Sequence, residues 1–122
     1  MVSKILIVDD SPVQLYALRK IVEEGGHQAV TADSGEEAVE LASCEKPELI
    51  LMDIVMPGMN GYQAKRDIGR NKSTRHIPVI FVSSKDGEAD RAWGMRQGAS
   101  EYVTKPVDRN VLLTAISEAI AA

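Results

Sequence analysis

Short apolar runs alternate along this chain with stretches whose apolar residues recur at helical spacing. Ile5-Leu6-Ile7-Val8, Leu49-Ile50-Leu51-Met52 and Val79-Ile80-Phe81-Val82 are each four apolar residues without a break. Runs of that length and composition predict strands buried on both faces. Residues 28–32 and 101–104 predict two more short strands.

The intervening stretches carry helix signals. Ser11-Pro12 offers an N-cap followed by proline at the first helical position, and Leu15, Leu18, Ile21 and Val22 form one apolar stripe before Gly25-Gly26. Ser34 with Glu37 fits a capping box for a second helix through about Cys44, and Pro47 stops its continuation. A third helix is predicted over 62–70, after the turn-rich loop 58–61. A fourth is predicted over 88–97, ended by Gly98. Asp108 caps a last helix with Leu112, Leu113, Ile116 and Ile120 facing inward.

Five strands alternating with five helices predict an α/β fold: a five-stranded parallel sheet with helices on both faces. Right-handed crossovers leave few topologies, and the flavodoxin-like order 2-1-3-4-5 is the expected one.

Composition narrows the field. At 122 residues the chain reads as one domain, 1–122, long enough to bury roughly two-thirds of its unfolded surface. A net charge of −4, with no basic run or stripe, argues against nucleic-acid binding. One cysteine, Cys44, excludes an intramolecular disulfide and fits a reducing compartment. The first apolar run is too short for a signal-peptide core or a membrane span, so a cytoplasmic protein without membrane insertion is expected. A monomer is expected as well.

The candidate chemistry sits where strands end. Strand 1 runs into Asp9-Asp10, strand 3 into Asp53, strand 4 into Ser83 and strand 5 into Lys105. In the order 2-1-3-4-5 these strands are consecutive, so their carboxyl ends share the sheet edge where α/β folds bind ligands. Three gathered carboxylates repel one another, at about 4 kcal/mol per pair for a separation of about 4 Å in a surface-like dielectric. Lys105 supplies one offsetting charge, and a divalent cation would supply two. All-oxygen donors suit Mg²⁺. Asp53 is then placed to attack a phosphoryl group and form an acyl phosphate, with Lys105 and the Ser83 hydroxyl contacting phosphoryl oxygens.

Asp9-Asp10, Asp53-Ile54-Val55-Met56-Pro57-Gly58, Ser83 and Lys105-Pro106 together resemble the CheY-like receiver domain of two-component response regulators, and the resemblance spans the chain. It implies that Asp53 is phosphorylated by a histidine kinase of the CheA-like kind. It implies that Asp9, Asp10, Asp53 and the Val55 backbone carbonyl surround Mg²⁺, and that Lys105-Pro106 is cis. Ser83 and Lys105 would sense the phosphoryl group. Tyr102 falls at the family's switch aromatic and is expected to move inward on phosphorylation, altering the helix 4–strand 5–helix 5 surface that meets a downstream protein. Helix 1 is the expected dock for the phosphodonor. Asp-Asp-Ser-Pro, Met-Asp-Ile-Val-Met-Pro-Gly-Met-Asn-Gly-Tyr-Gln-Ala and Trp-Gly-Met-Arg-Gln-Gly-Ala are similar to the PilH-type stand-alone regulators of type IV pilus twitching motility. This implies chemotaxis-type signalling to pilus machinery. A phosphate sink for a shared kinase is the alternative role.

Other readings are weighed on the same residues. A carboxylate-nucleophile phosphatase wants a second acid two positions after Asp53, where Val55 stands. A flavin carrier needs a Ser/Thr/Gly phosphate loop after strand 1, where two aspartates stand. A receiver that never takes phosphate conflicts with the intact acidic set. Apolar Val55 and basic Lys85 bear on the lifetime of the acyl phosphate. Read alone, Tyr102 is a half-exposed strand aromatic. His27 and His76 read as surface residues, Cys44 as a small apolar filler, and Trp93 as either a packing residue or a partner anchor. Met56 and Met59 flank the loop after Asp53. Arg66, Arg70, Lys72 and Arg75 read as a solvated basic face.

Overall fold

The computed structural model describes residues 2–122. The elements in chain order are β1 (Lys4–Val8), α1 (Pro12–Glu24), β2 (Gln28–Ala32), α2 (Gly35–Glu45), β3 (Leu49–Met52), α3 (Gly61–Arg70), β4 (Val79–Ser83), α4 (Glu88–Arg96), β5 (Glu101–Thr104) and α5 (Arg109–Ala121). All strand pairs are parallel and the order is β2-β1-β3-β4-β5, as the sequence predicts.

Strand alternation divides the core in two. Leu6, Val8, Ile50, Met52, Val79 and Phe81 point to one face and pack on Ala38 and Ala42 of α2 and on Ala64 and Ile68 of α3. Ile5, Ile7, Leu49, Leu51, Ile80 and Val82 point to the other and pack on Leu18 and Val22 of α1 and Leu112 and Ile116 of α5. Burying each such aliphatic side chain contributes about 1.5–3 kcal/mol. Both sides of the central strands are covered, so those strands have no polar alternation to show.

The caps fix the helix starts. Ser11 accepts from Gln14 N–H (3.3 Å), with Pro12 at the first helical position. Ser34 accepts from Glu37 N–H (3.1 Å), and the Glu37 carboxylate reaches back one residue further than expected, to Asp33 N–H (2.8 Å). Asp108 accepts from Asn110 and Val111 N–H at 2.9 and 3.1 Å. At α3 the structure begins the helix at Gly61, one residue before the expected Tyr62, behind a full capping box. Asn60 accepts from Gln63 N–H (2.9 Å) and Gln63 accepts from Asn60 N–H (2.8 Å). Turn residues obscured that signal.

Two smaller expectations are corrected. Cys44 is exposed on α2 and fills no core space. His27 is half-buried, its Nδ1 accepting from Ser3 N–H at 3.3 Å, whereas His76 is exposed as expected. Among the described residues no helix is long and apolar enough to cross a membrane.

Candidate functional site

The parallel sheet brings the predicted strand ends to one edge. Val8 pairs with Met52, so Asp9 and Asp53 leave adjacent strands side by side. Ser83 pairs with Thr104, so Lys105 leaves β5 next to the end of β4. Carboxylate oxygens of Asp9, Asp10 and Asp53 all lie within 4.8 Å of one another. Asp9 and Asp53 are buried, and Asp10 faces solvent.

Each buried acid has its own support. Asp9 Oδ1 accepts from Ser11 N–H (2.9 Å) and Oδ2 receives the Lys105 ammonium at 2.7 Å. Asp53 Oδ1 accepts from Ile54 N–H (2.9 Å) and lies 3.5 Å from Lys105 Nζ. Lys105 thus ties carboxylates from β1 and β3 together across the sheet, and the Lys105-Pro106 bond is cis. One ammonium for three carboxylates leaves the cluster short of positive charge. Burial, and then the charge of Asp9, push the Asp53 carboxyl above its ordinary range, while Lys105 and the Ile54 amide act in the opposite direction. Hard oxygen donors that converge and lack positive charge fit a divalent ion of the Mg²⁺ type.

That shift has a consequence for stability. With a folded value above the unfolded one, the stabilisation from protonated Asp53 is complete below the ordinary carboxylate range. It is lost as pH rises through the raised value. Metal-free Asp53→Asn is therefore expected to gain stability over wild type as pH rises to neutral, with the gap closing toward acid. Urea unfolding across pH measures it, and parallel curves for the two proteins would show that Asp53 carries no such burden.

Ser83 is fully buried at the end of β4, and its hydroxyl accepts from Lys85 N–H at 3.2 Å. Tyr102 corrects the sequence reading. It is 1 % exposed, not half-exposed, and its ring already lies inward. An added Cβ on Gly94 would meet that ring at 2.7 Å, so the absence of a side chain on α4 is what admits it. The phenol donates to the Lys85 carbonyl at 2.6 Å. Burial pushes its pKa up, with a hydrogen bond involving Ser83 acting the other way. Ser83, Lys85 and Tyr102 therefore share one hydrogen-bonded loop at the start of α4. No inward movement is left for Tyr102 in this state.

The loop after Asp53 joins the site to two helices. Val55 is 57 % exposed and presents no acid or base, while Met56 is buried. Met59 packs against Gly35 at the start of α2, where an added Cβ would lie 2.8 Å from the Met59 carbonyl oxygen. Gly61 packs against the Asp53 peptide itself, where an added Cβ would lie 2.2 Å from the carbonyl oxygen. Sequence reasoning treated Gly61 as a turn residue. Its position directly after an N-cap asparagine was the available signal. Trp93 is half-exposed and rests edge-on against Tyr62, ring centroids 6.4 Å apart.

Residues 5–117 match the family described as the response regulator receiver domain. The chain is 51% identical over 119 residues to Protein PilH of Pseudomonas aeruginosa, covering 98% of both. It is 35% identical over 113 residues to Protein PilG of the same organism, covering 93% of this chain and 84% of that one. Its backbone superposes with a TM-score of 0.91 on the receiver domain of a sensor histidine kinase from Pseudomonas aeruginosa PAO1, at 27% identity and full coverage of both chains. That domain was crystallised with a magnesium ion coordinated in its active-site cleft.

Proposed function

The chain belongs to the response regulator receiver family, and from that premise we propose that Asp53 is its phosphoacceptor, loaded from a histidine kinase in a Mg²⁺-dependent transfer. The observation that supports this most is the convergence of Asp9, Asp10 and Asp53 with Lys105 bridging Asp9 and Asp53. Asp9, Asp10, Asp53 and the Val55 carbonyl are the groups that would hold the ion. Bound there, Mg²⁺ would neutralise phosphoryl oxygens and lower the repulsion met by an incoming anion.

The chain's own residues do the rest. The Ile54 amide holds Asp53 Oδ1, which orients Oδ2 as the attacking atom. Oδ2 bonds to phosphorus as the bond from phosphorus to the donor breaks, leaving an acyl phosphate and the free donor. Lys105 and Ser83 then face the new charge, about −1.5 to −2 at neutral pH. Drawing the Ser83 hydroxyl toward phosphate competes with its bond to Lys85 N–H, and Lys85 is also where Tyr102 is anchored. That shared residue links the site to the α4–β5–α5 surface. There a depression of about 410 Å³ is lined by Arg91, Tyr102, Val111 and Glu118, among others. Output is a change in how this face binds a downstream protein. Any catalysis is confined to the chain's own phosphotransfer and dephosphorylation.

The full-length likeness to PilH agrees with the motifs shared with pilus regulators. It supports a CheA-like kinase as donor, type IV pilus machinery as the output pathway and a cytoplasmic setting.

Acetyl phosphate with Mg²⁺ is expected to add one phosphoryl group, read by intact mass, in a linkage cleaved by hydroxylamine. Chelation is expected to slow the addition at least about a hundredfold, near 2.7 kcal/mol of barrier. A hydroxylamine-stable adduct, or addition unaffected by chelation, contradicts the reading. Continuous turnover of a generic phosphate ester would favour a phosphatase instead.

A further inference from the structure

Helices α2 and α3 pack on one side of the sheet. The charges of the face they form are sorted by helix. Glu36, Glu37 and Glu40 are exposed along α2, and Arg66 and Arg70 are exposed along α3. The two helices pack side by side. Yet among the described residues no ion pair joins them, and the nearest acid to Arg70 is Asp67 of its own helix, at 3.5 Å. A cleft of about 440 Å³ lies between the helices, with Glu36 on the α2 side and Gln63, Arg66, Asp67 and Arg70 on the α3 side. Arg70 pairs only within α3, and Arg66, Glu36, Glu37 and Glu40 enter no ion pair among the described residues, so an acidic ridge lies beside a basic one and the face is self-complementary. A two-fold axis running along the helices lays each α2 over the partner's α3 and repeats the match.

We propose that this face pairs with a second copy of the same chain, α2 of each protomer against α3 of the other. The face is also stiff. Met59 is wedged under Gly35 at the start of α2, and Gly61 fixes the start of α3 on the Asp53 peptide, so little ordering accompanies contact. Its residues are chiefly charged, which makes the association salt-sensitive. It involves none of the residues assigned to phosphotransfer and holds whether or not Asp53 accepts phosphate.

Sedimentation at rising protein concentration tests it. Near 0.01 M salt, where charges act over about 30 Å, the weight-average mass of wild type is expected to climb from the monomer value toward twice that value. At about 1 M salt, where screening acts within about 3 Å, it is expected to stay at one chain. Arg66→Glu/Arg70→Glu carries two acidic ridges and Glu36→Lys/Glu40→Lys two basic ones. Each alone is expected to remain a monomer at low salt, and an equimolar mixture to recover association. Wild type that stays monomeric throughout, association indifferent to salt, or a mixture that stays monomeric overturns the proposal. The wild-type salt series decides the matter even if a variant folds poorly.

Discussion

Asp53→Asn is expected to accept no phosphoryl group from acetyl phosphate, even at saturating Mg²⁺, while remaining folded. The substitution keeps the shape of the side chain and its bond from Ile54 N–H but removes the anionic oxygen to which the attack is assigned. Neither neighbouring acid is placed to take over. Both oxygens of Asp9 are committed, one to Ser11 N–H and one to Lys105, so using it as nucleophile means breaking the shortest ion pair of the site. Asp10 stands in solvent, outside the reach that holds Asp53 against Lys105. Asp9→Asn and Asp10→Asn are expected to weaken Mg²⁺ binding and slow the transfer without abolishing it. Intact mass after a fixed incubation separates the three variants. A phosphoryl adduct on Asp53→Asn would move the nucleophile elsewhere and undo the assignment.

Gly61→Ala is expected to destabilise the fold by roughly 2–4 kcal/mol, lowering the melting temperature by about 10 °C. Two effects of opposite sign meet here. Alanine is the better helix former, by about 1 kcal/mol. The new methyl, however, would sit 2.2 Å from the Asp53 carbonyl oxygen and 2.9 Å from Ile54 Cα, and both are backbone atoms with no flexible end to swing aside. The start of α3 must back away from Asp53, and the bond from Gly61 N–H to the Ile54 carbonyl, 2.9 Å, goes with it. Phosphotransfer should slow in the same variant. Gly69→Ala is the control, because it lies in the same helix with nothing within 4 Å of the added methyl. It is expected to stabilise by about 0.5–1 kcal/mol. Thermal unfolding of the pair gives the answer, and equal shifts for both would show that contact with the Asp53 peptide is irrelevant.

The strands were legible because each carries its own apolar pattern, the order followed from the known flavodoxin-like arrangement, and the gathering of the acids followed from that order. Four apolar residues followed by aspartate already say where β3 stops. What escaped depends on two segments meeting. Tyr102 lies in the interior because Gly94, on α4, leaves space for its ring. Neither residue announces the other along the chain. Gly61 reads as turn punctuation until the Asp53 carbonyl is seen against it. Cys44 follows from helical phase: Ala38 and Ala42 take the buried stripe and turn it outward. The Ser83–Lys85–Tyr102 linkage runs through the main chain of Lys85, where side-chain identity gives no hint.

Lys105 holds Asp9 at 2.7 Å, so the cluster carries a counterion of its own. The ammonium is a stand-in that keeps two acids from driving the strand ends apart. Were Asp9, Asp10 and Asp53 to hold a divalent ion, the ion would supply the charge Asp9 draws from the lysine, and Lys105 would be free to turn toward phosphoryl oxygens. Loading and unloading would then exchange partners within an intact framework, and the molecule would return to rest after each signal without refolding.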